Sequence, residues 1–225
     1  MRAVAAESLG SEADVVALTA SRGPSSIESA VESVVAAAEV VSMVEANRDY
    51  DAYLIACFGD PGLHAARELT DVPVVGIGEA AYHAACLISS RFAVITTLAR
   101  GVPELEDSLR RQGIGHRCVA VVPLSLPVSE QGAANPESTA AIIQAGRRAI
   151  DEYGAEALVL ACGAMASVAR GVEGELGVPV CDGVAYGALL AHSLWRSGLR
   201  TSKVGAYAWP EPIPYTGMPA PLGRA

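Results

Sequence analysis

Two cysteines, Cys57 and Cys162, close two matching phrases, Asp51–Cys57 and Ala155–Cys162. Each is a short apolar run that stops at a thiol and is followed by small residues and a helical pattern. The likeness continues downstream: Val72-Pro73-Val74 follows the first cysteine and Val178-Pro179-Val180 the second, and then come Ala81-Tyr82 and Ala185-Tyr186. The offset between the copies stays nearly constant, so the chain reads as one unit repeated, each copy presenting a thiol at a strand end. A pseudo-twofold arrangement of such units aims two thiols into one cleft. Two equivalent thiols suit one chemistry, removing a proton from one face of a carbon and returning it on the other. The carboxyl edge of a parallel sheet is where open α/β folds bind ligands. A thiol near a helix N-terminus is also expected to ionise below its ordinary pKa of about 8.5.

The remaining polar and reactive groups offer less. Cys86, Cys118 and Cys181 have no repeat partner and read as small core hydrophobes. Gly76-x-Gly78-x-x-Ala81 matches the dinucleotide fingerprint, but the strand that follows ends Ile95-Thr96-Thr97-Leu98, without the acid that holds a ribose. Close strand–helix packing explains these glycines better, and Glu79 reads as a partner for its own helix dipole. Lys203, the single lysine, lies in a polar loop where a pyridoxal Schiff base has no support. His64, His83, His116 and His192 lack metal-ligand spacing. A nucleophilic pair of Cys57 with His64 stays open as a minor reading.

Strand-like runs alternate with helical patterns, the mark of an α/β protein with parallel sheets. Strands are expected near Asp14–Leu18, Tyr53–Cys57, Val72–Ile77, Phe92–Thr97, Cys118–Val122, Ala157–Cys162 and Val178–Cys181. Helices are expected near Ser26–Asn47, Pro61–Leu69, Glu79–Ile88, Glu104–Gln112, Glu137–Tyr153, Ala164–Leu176 and Val184–Ser197. Ser25 with Glu28 spells a capping box, and Asp60-Pro61 and Asn135-Pro136 each place a capping side chain before a first-turn proline. The tail from Trp209 carries five prolines and is expected to lie extended. Two pseudo-symmetric units follow: residues 1–90 with 190–225, and residues 91–189, the active site between them. The second copy counts four strands and the first only three. A partner for Phe92–Thr97 is expected before Asp14, where Met1–Ser11 instead reads as the end of a helix. Met1 is therefore expected to be a late start, the fuller protein opening in an upstream strand.

A chain of 225 residues that is 51% hydrophobic and 18% charged is globular. Its net charge of −9 leaves no basic stripe for nucleic acid. Its longest apolar stretch is broken by Glu39 and too short for a bilayer. Five cysteines and no legible signal-peptide core point to the reducing cytoplasm.

The segment Ile55–Thr70, with Val72–Ile77 and Glu79–Ala81, resembles the hydantoin racemases and their allantoin-racemase relatives, members of the cofactor-independent aspartate/glutamate racemase superfamily. Gly23–Glu28, Phe92–Thr97, Cys162–Met165, Asp182–Val184, Lys203–Ala208 and Pro214–Gly217 extend the resemblance over nearly the whole chain. There are three departures. The family's opening strand, with its Asn-Pro-Asn-Thr-like turn, has no match. The usual Gly-Cys-Ala-Gly-Met reads Ala161-Cys162-Gly163-Ala164-Met165 here, and Cys181 replaces an aliphatic residue.

The resemblance implies racemisation of a 5-substituted hydantoin without a cofactor, Cys57 and Cys162 being the two catalytic bases. The substrate-binding set is then Pro24, Phe58, Gly59, Thr96, Thr97, Gly163 and Ala164. The backbone N–H groups of 58–59 and 163–164 and the threonine hydroxyls are expected to meet the ring carbonyls. Neither cysteine is flanked by the Asn-Thr and Thr-His elements that hold free amino acids in related racemases, which favours a neutral ring. Allantoin, an aspartate- or glutamate-type substrate, decarboxylation, or ligand binding without turnover remain alternatives. A small-molecule partner and a homo-oligomer are expected, with no nucleic-acid or membrane partner.

Overall fold

The computed structural model describes residues 1–124, 135–214 and 216. Fourteen elements carry the fold. The helices are α1 (Arg2–Leu9), α2 (Ala30–Ala46), α3 (Leu63–Leu69), α4 (Ile77–Ile88), α5 (Val102–Arg111), α6 (Pro136–Tyr153), α7 (Ala169–Leu176) and α8 (Gly183–Arg196). The strands are β1 (Tyr53–Ile55), β2 (Val74–Gly76), β3 (Phe92–Thr96), β4 (Cys118–Pro123), β5 (Ala157–Leu160) and β6 (Val180–Asp182). All pairings are parallel. One sheet has the order β4-β3-β5-β6 and the other is the pair β1-β2.

In the four-stranded sheet, β3 is apolar from Phe92 to Ile95 and β5 throughout, because both faces are covered. Phe92 and Val94 face α4 and α5 in one core, while Ala93 and Ile95 face α6 in another. All four are fully buried, and burying each large side chain stabilises the fold by about 1.5–3 kcal/mol. The smaller sheet repeats the scheme. Ile55 and Val74 pack on α2 and α3, and Leu54 and Val75 on α4 and α8. The helices α4 and α8, equivalent in the repeat, also pack on each other.

Several starts and stops differ from the sequence reading. Residues 14–18 form no strand; Val16 is 56% and Leu18 44% exposed. A strand needs a hydrogen-bonded neighbour, and among the described residues the counterpart β4 is held by β3 alone. Among the described residues the first unit contains no equivalent of β3, so it has two strands rather than three. The helix expected from Ser26 begins at Ala30, with Ser29 as N-cap. Ser25-x-x-Glu28 and Ser29-x-x-Glu32 are tandem copies of the same pattern; the helix starts at the second, though the Ser29 side chain makes no cap hydrogen bond. Glu32 accepts a hydrogen bond from the Glu28 N–H at 3.3 Å, and a hydrogen bond from Ser29 lowers its pKa.

Asp60 does not cap the helix that follows it. It takes a left-handed φ of 49° and turns its carboxylate to α4, accepting from the Gly78 N–H at 2.9 Å and the Glu79 N–H at 2.8 Å. Asn135 behaves as expected, its Oδ1 accepting from Glu137 and Ser138 at the head of α6. Residues 163–168 wind as a 3₁₀ helix before α7. The proline-rich tail lies mostly outside the described residues.

Candidate active site

β1 ends at Ile55 and β5 at Leu160, so each sequence-selected cysteine stands two residues beyond its strand. The chain then turns at once. After Cys57 the Asp60 N–H donates to the Cys57 carbonyl at 2.9 Å, and after Cys162 the Met165 N–H donates to the Cys162 carbonyl at 3.0 Å. Both thiols are partly buried and unpaired by disulfide. They line one cavity of about 340 Å3, at the small end of the range for ligand sites.

The other seven residues singled out from sequence line the same cavity: Pro24, Phe58, Gly59, Thr96, Thr97, Gly163 and Ala164. Their contributions differ from expectation in two ways. The Phe58 ring points into the core, edge-on to Tyr82 with centroids 5.2 Å apart, so only its backbone can serve the cleft. The Gly59 N–H lies against the Cys57 thiol, and the N–H groups of Ala164 and Met165 lie against the Cys162 thiol. These backbone donors hold sulfur where a ring carbonyl was anticipated.

The expected lowering of the thiol pKa is not observed. Removal from water pushes the Cys57 thiol up to about 11, and the negative charges of Asp60 and Glu104 add to this. Burial raises Cys162 as well, against two backbone N–H donors rather than one. Burial therefore outweighs the local backbone field at both sulfurs. Cys162, with the greater number of donors and no acid pressing on it, is the easier of the two to ionise.

Some cleft residues were missed by sequence reasoning. Ser25, Ser26, Glu28 and Ser29 line it because residues 24–29 run over the opening instead of starting a helix. The Gly23-Pro24-Ser25-Ser26 composition was the available turn signal. Glu104 reaches the cleft from the first turn of α5, and a Cβ on Gly59 would come within 3.7 Å of its Oε1. Met1 also lines the cavity, its Sδ packed over Gly163. Among the described residues, no Lys or Arg lines the cavity.

The groups set aside stay apart from the cleft. His64 Nδ1 meets the Tyr207 hydroxyl at 2.8 Å, away from Cys57. Lys203 Nζ donates to the carbonyls of Arg67, Glu68 and Tyr207 and stands over the Trp209 ring. Cys181 is fully buried, and burial pushes its thiol up to about 12. Gly76 and Gly78 make room for Asp60 and Phe58: a Cβ on Gly76 would meet the Asp60 carboxyl at 2.2 Å, and one on Gly78 the Phe58 carbonyl at 2.2 Å. Glu79 pairs with Arg67 and accepts from the Gly76 N–H at 3.2 Å. Among the described residues no three His, Cys, Asp or Glu side chains converge to hold a metal ion, and no helix is long and apolar enough to cross a membrane.

Comparison with known proteins places this geometry in a wider group. The model of the Asp/Glu/Hydantoin racemase family matches residues 1–191. A hydantoin racemase from Pseudomonas sp. (strain NS671) is 39% identical over 219 residues, 95% of this chain and 87% of that protein. The solved allantoin racemase from Klebsiella pneumoniae superposes with a TM-score of 0.91 at 38% identity, covering 96% of this chain and 89% of its own. The allantoin racemase from Pseudomonas fluorescens gives 0.87 at 36% identity, with 96% and 94% covered.

Proposed function

The chain is a racemase of the Asp/Glu/Hydantoin racemase family, and we propose that it inverts C5 of a substituted hydantoin through Cys57 and Cys162. The observation that carries this reading is the pairing of the thiols. Two sulfurs at repeat-equivalent positions line one small cavity, and among the described residues no Lys or Arg lines it. A free amino acid would need several donors for its carboxylate, and neither cysteine is flanked by the Asn-Thr or Thr-His/Glu elements that supply them in related racemases, whereas a hydantoin ring is neutral and asks only for a few hydrogen bonds.

One thiol must lose its proton first. Cys162 is assigned as the resting base because two backbone N–H groups support its thiolate, while Asp60 and Glu104 press Cys57 toward the neutral form. The Cys162 thiolate takes the C5 proton of one enantiomer, and the electron pair of that C–H bond moves into the ring as an enolate on the adjacent carbonyl. Cys57, still a thiol, delivers its proton to the opposite face of C5. The pair then holds its single proton on the other sulfur, poised for the reverse enantiomer. In this reading the hydroxyls of Thr96 and Thr97, both of which line the cavity, hydrogen-bond the carbonyl where charge develops, and enclosure of the two thiols supplies positioning and general acid–base action.

Allantoin is itself a hydantoin with a ureido group at C5, and the similarity to two allantoin racemases supports it as the second substrate candidate. The test is deuterium exchange followed by NMR, with a panel of 5-substituted hydantoins and allantoin in heavy water. The expected outcome is solvent deuterium at C5 together with loss of optical rotation, at catalytic protein concentration. Thermal stabilisation by a ligand without any exchange would instead identify a binding protein. The proposed chemistry uses neither metal nor pyridoxal phosphate, so dialysis against EDTA leaves the rate unchanged while iodoacetamide removes it.

A further inference from the structure

Racemisation through the thiols uses the two sulfurs, the threonine hydroxyls and the backbone of the cleft, and it leaves two lining carboxylates without a task. Glu28 comes from the segment that runs over the opening, and there the Ser26 hydroxyl donates to its carboxylate at 3.3 Å. Glu104 comes from the first turn of α5. Its helix neighbours Glu106 and Asp107 both pair with Arg110. Glu104 makes no ion pair and no side-chain hydrogen bond among the described residues. A first-turn acid favours the helix dipole whichever way its side chain turns. This one turns to the thiol cavity.

Two observations fix where its charge acts. The carboxylate lies beside the Cys57 turn, since a Cβ on Gly59 would come within 3.7 Å of Glu104 Oε1, and the Gly59 N–H lies against the Cys57 thiol. Its charge also reaches that sulfur, adding to the pressure that keeps Cys57 protonated. The carboxylate is therefore within reach of a substituent on the carbon that Cys57 protonates. Among the described residues no Lys or Arg lines the cavity, so its field is negative even before a thiolate forms. An anionic substituent enters against like charges, a cationic one gains a partner, and a neutral one does neither. At an exposed cavity mouth one such contact changes affinity by about 3–10-fold, and salt weakens it.

We propose that Glu104 is a specificity-determining residue of this site. It selects hydantoins whose C5 substituent ends in a cation, an aminoalkyl or guanidinoalkyl chain, over neutral chains of similar length, and it turns carboxylates away. The inference rests on the hydantoin reading and names the substituent which that reading leaves open. The cationic N–H groups donate to the Glu104 carboxylate while the ring stays between the sulfurs.

The test follows deuterium exchange at C5 of three hydantoins carrying 3-aminopropyl, 2-carbamoylethyl and 2-carboxyethyl groups, with wild type, Glu104→Gln and Glu104→Lys. Wild type is expected to rank them in that order by kcat/KM, each step about 3–10-fold at low ionic strength and narrower in added salt. Glu104→Gln should lower the amine-to-carboxylate ratio by about tenfold or more, and Glu104→Lys should invert it. Either substitution also changes the setting of Cys57, but that change acts on all three substrates, and ratios within one enzyme cancel it. The same ratios in wild type and both variants, or a wild type that takes the carboxylate first, overturn the proposal and leave the hydantoin reading standing. Exchange of allantoin but of none of the three overturns it alone as well. Exchange of no hydantoin at all sinks both.

Discussion

Cys162 stands beyond β5, a strand flanked by β3 on one edge and β6 on the other, whereas Cys57 stands beyond β1, which among the described residues pairs with β2 alone. The sulfurs nevertheless share one cavity, each two residues past its strand. Their settings differ as their sheets do. Cys162 rests in a 3₁₀ turn that offers two backbone donors, while Cys57 rests in a turn held from outside by Asp60 and pressed by two acids. The repeat thus supplies two thiols, and departures from the repeat make them unequal. Under the proposed mechanism the two enantiomers need opposite single-proton states, so this inequality decides which enantiomer the resting site takes first.

The sharpest way to break the comparison is to remove one sulfur at a time. Cys57→Ser and Cys162→Ser are each expected to lower racemisation by about 10²–10⁴-fold, the usual worth of a positioned acid or base. Each should leave exchange of one enantiomer's C5 proton, and the surviving enantiomer should differ between the two. Full racemisation by either variant would remove that cysteine from the mechanism. In the wild type, kcat/KM should climb with pH from neutrality to above 9, because burial raises the Cys162 thiol above its ordinary value, and fall as Cys57 loses its proton near 11. Stability carries the same signature. The folded state keeps a proton on Cys57 that the unfolded chain loses above its ordinary value of 9.0. Stability therefore falls as pH rises from 9 to 11, and denaturant titrations of Cys57→Ser should show a flatter profile.

The strand–helix junctions test whether both halves are packed alike. A Cβ on Gly183 would meet the Ile77 carbonyl at 2.0 Å, and one on Gly78 the Phe58 carbonyl at 2.2 Å. Backbone is in the way in both, so Gly183→Ala and Gly78→Ala should each destabilise by about 3 kcal/mol. Chemical denaturation decides it, and a tolerated alanine at one site would mean that junction is looser than drawn.

The two capping aspartates separate positioning from stability. Asp182 caps its own helix through the Ala185 N–H at 2.8 Å, so Asp182→Ala should cost about 1 kcal/mol and leave kcat alone. Asp60 ties the Cys57 turn to α4, and burial raises its carboxyl to about 7. Asp60→Ala should cut kcat roughly 10–100-fold through misplacement of the thiol, with KM little changed. Asp60→Asn keeps one acceptor oxygen and should recover part of that loss. Equal kcat in Asp60→Ala and wild type would show that the turn holds without its tie. The smallest effect belongs to Cys86→Ala and Cys118→Ala, outside the cleft, where steady-state turnover should be unaltered.

Much of this was legible in the order of residues. Continuous apolar runs such as Phe92–Ile95 read as strands because a parallel sheet buried on both faces asks for nothing else. Asn135-Pro136 announced the head of α6 because cap chemistry is local. The repeat pointed to paired thiols, and all nine selected residues line the cleft. The sequence by itself determined which groups stand at the sheet edge, because strand ends follow from periodicity and turn residues. Three features were settled only by tertiary structure. Asp60 caps α4 instead of its own helix because the chain brings Gly78 beneath it, a contact across 18 residues. Both thiols sit high rather than low in pKa because desolvation depends on what packs above them. Residues 14–18 remain outside the sheet because strand propensity becomes a strand only when a neighbouring backbone is there to pair with.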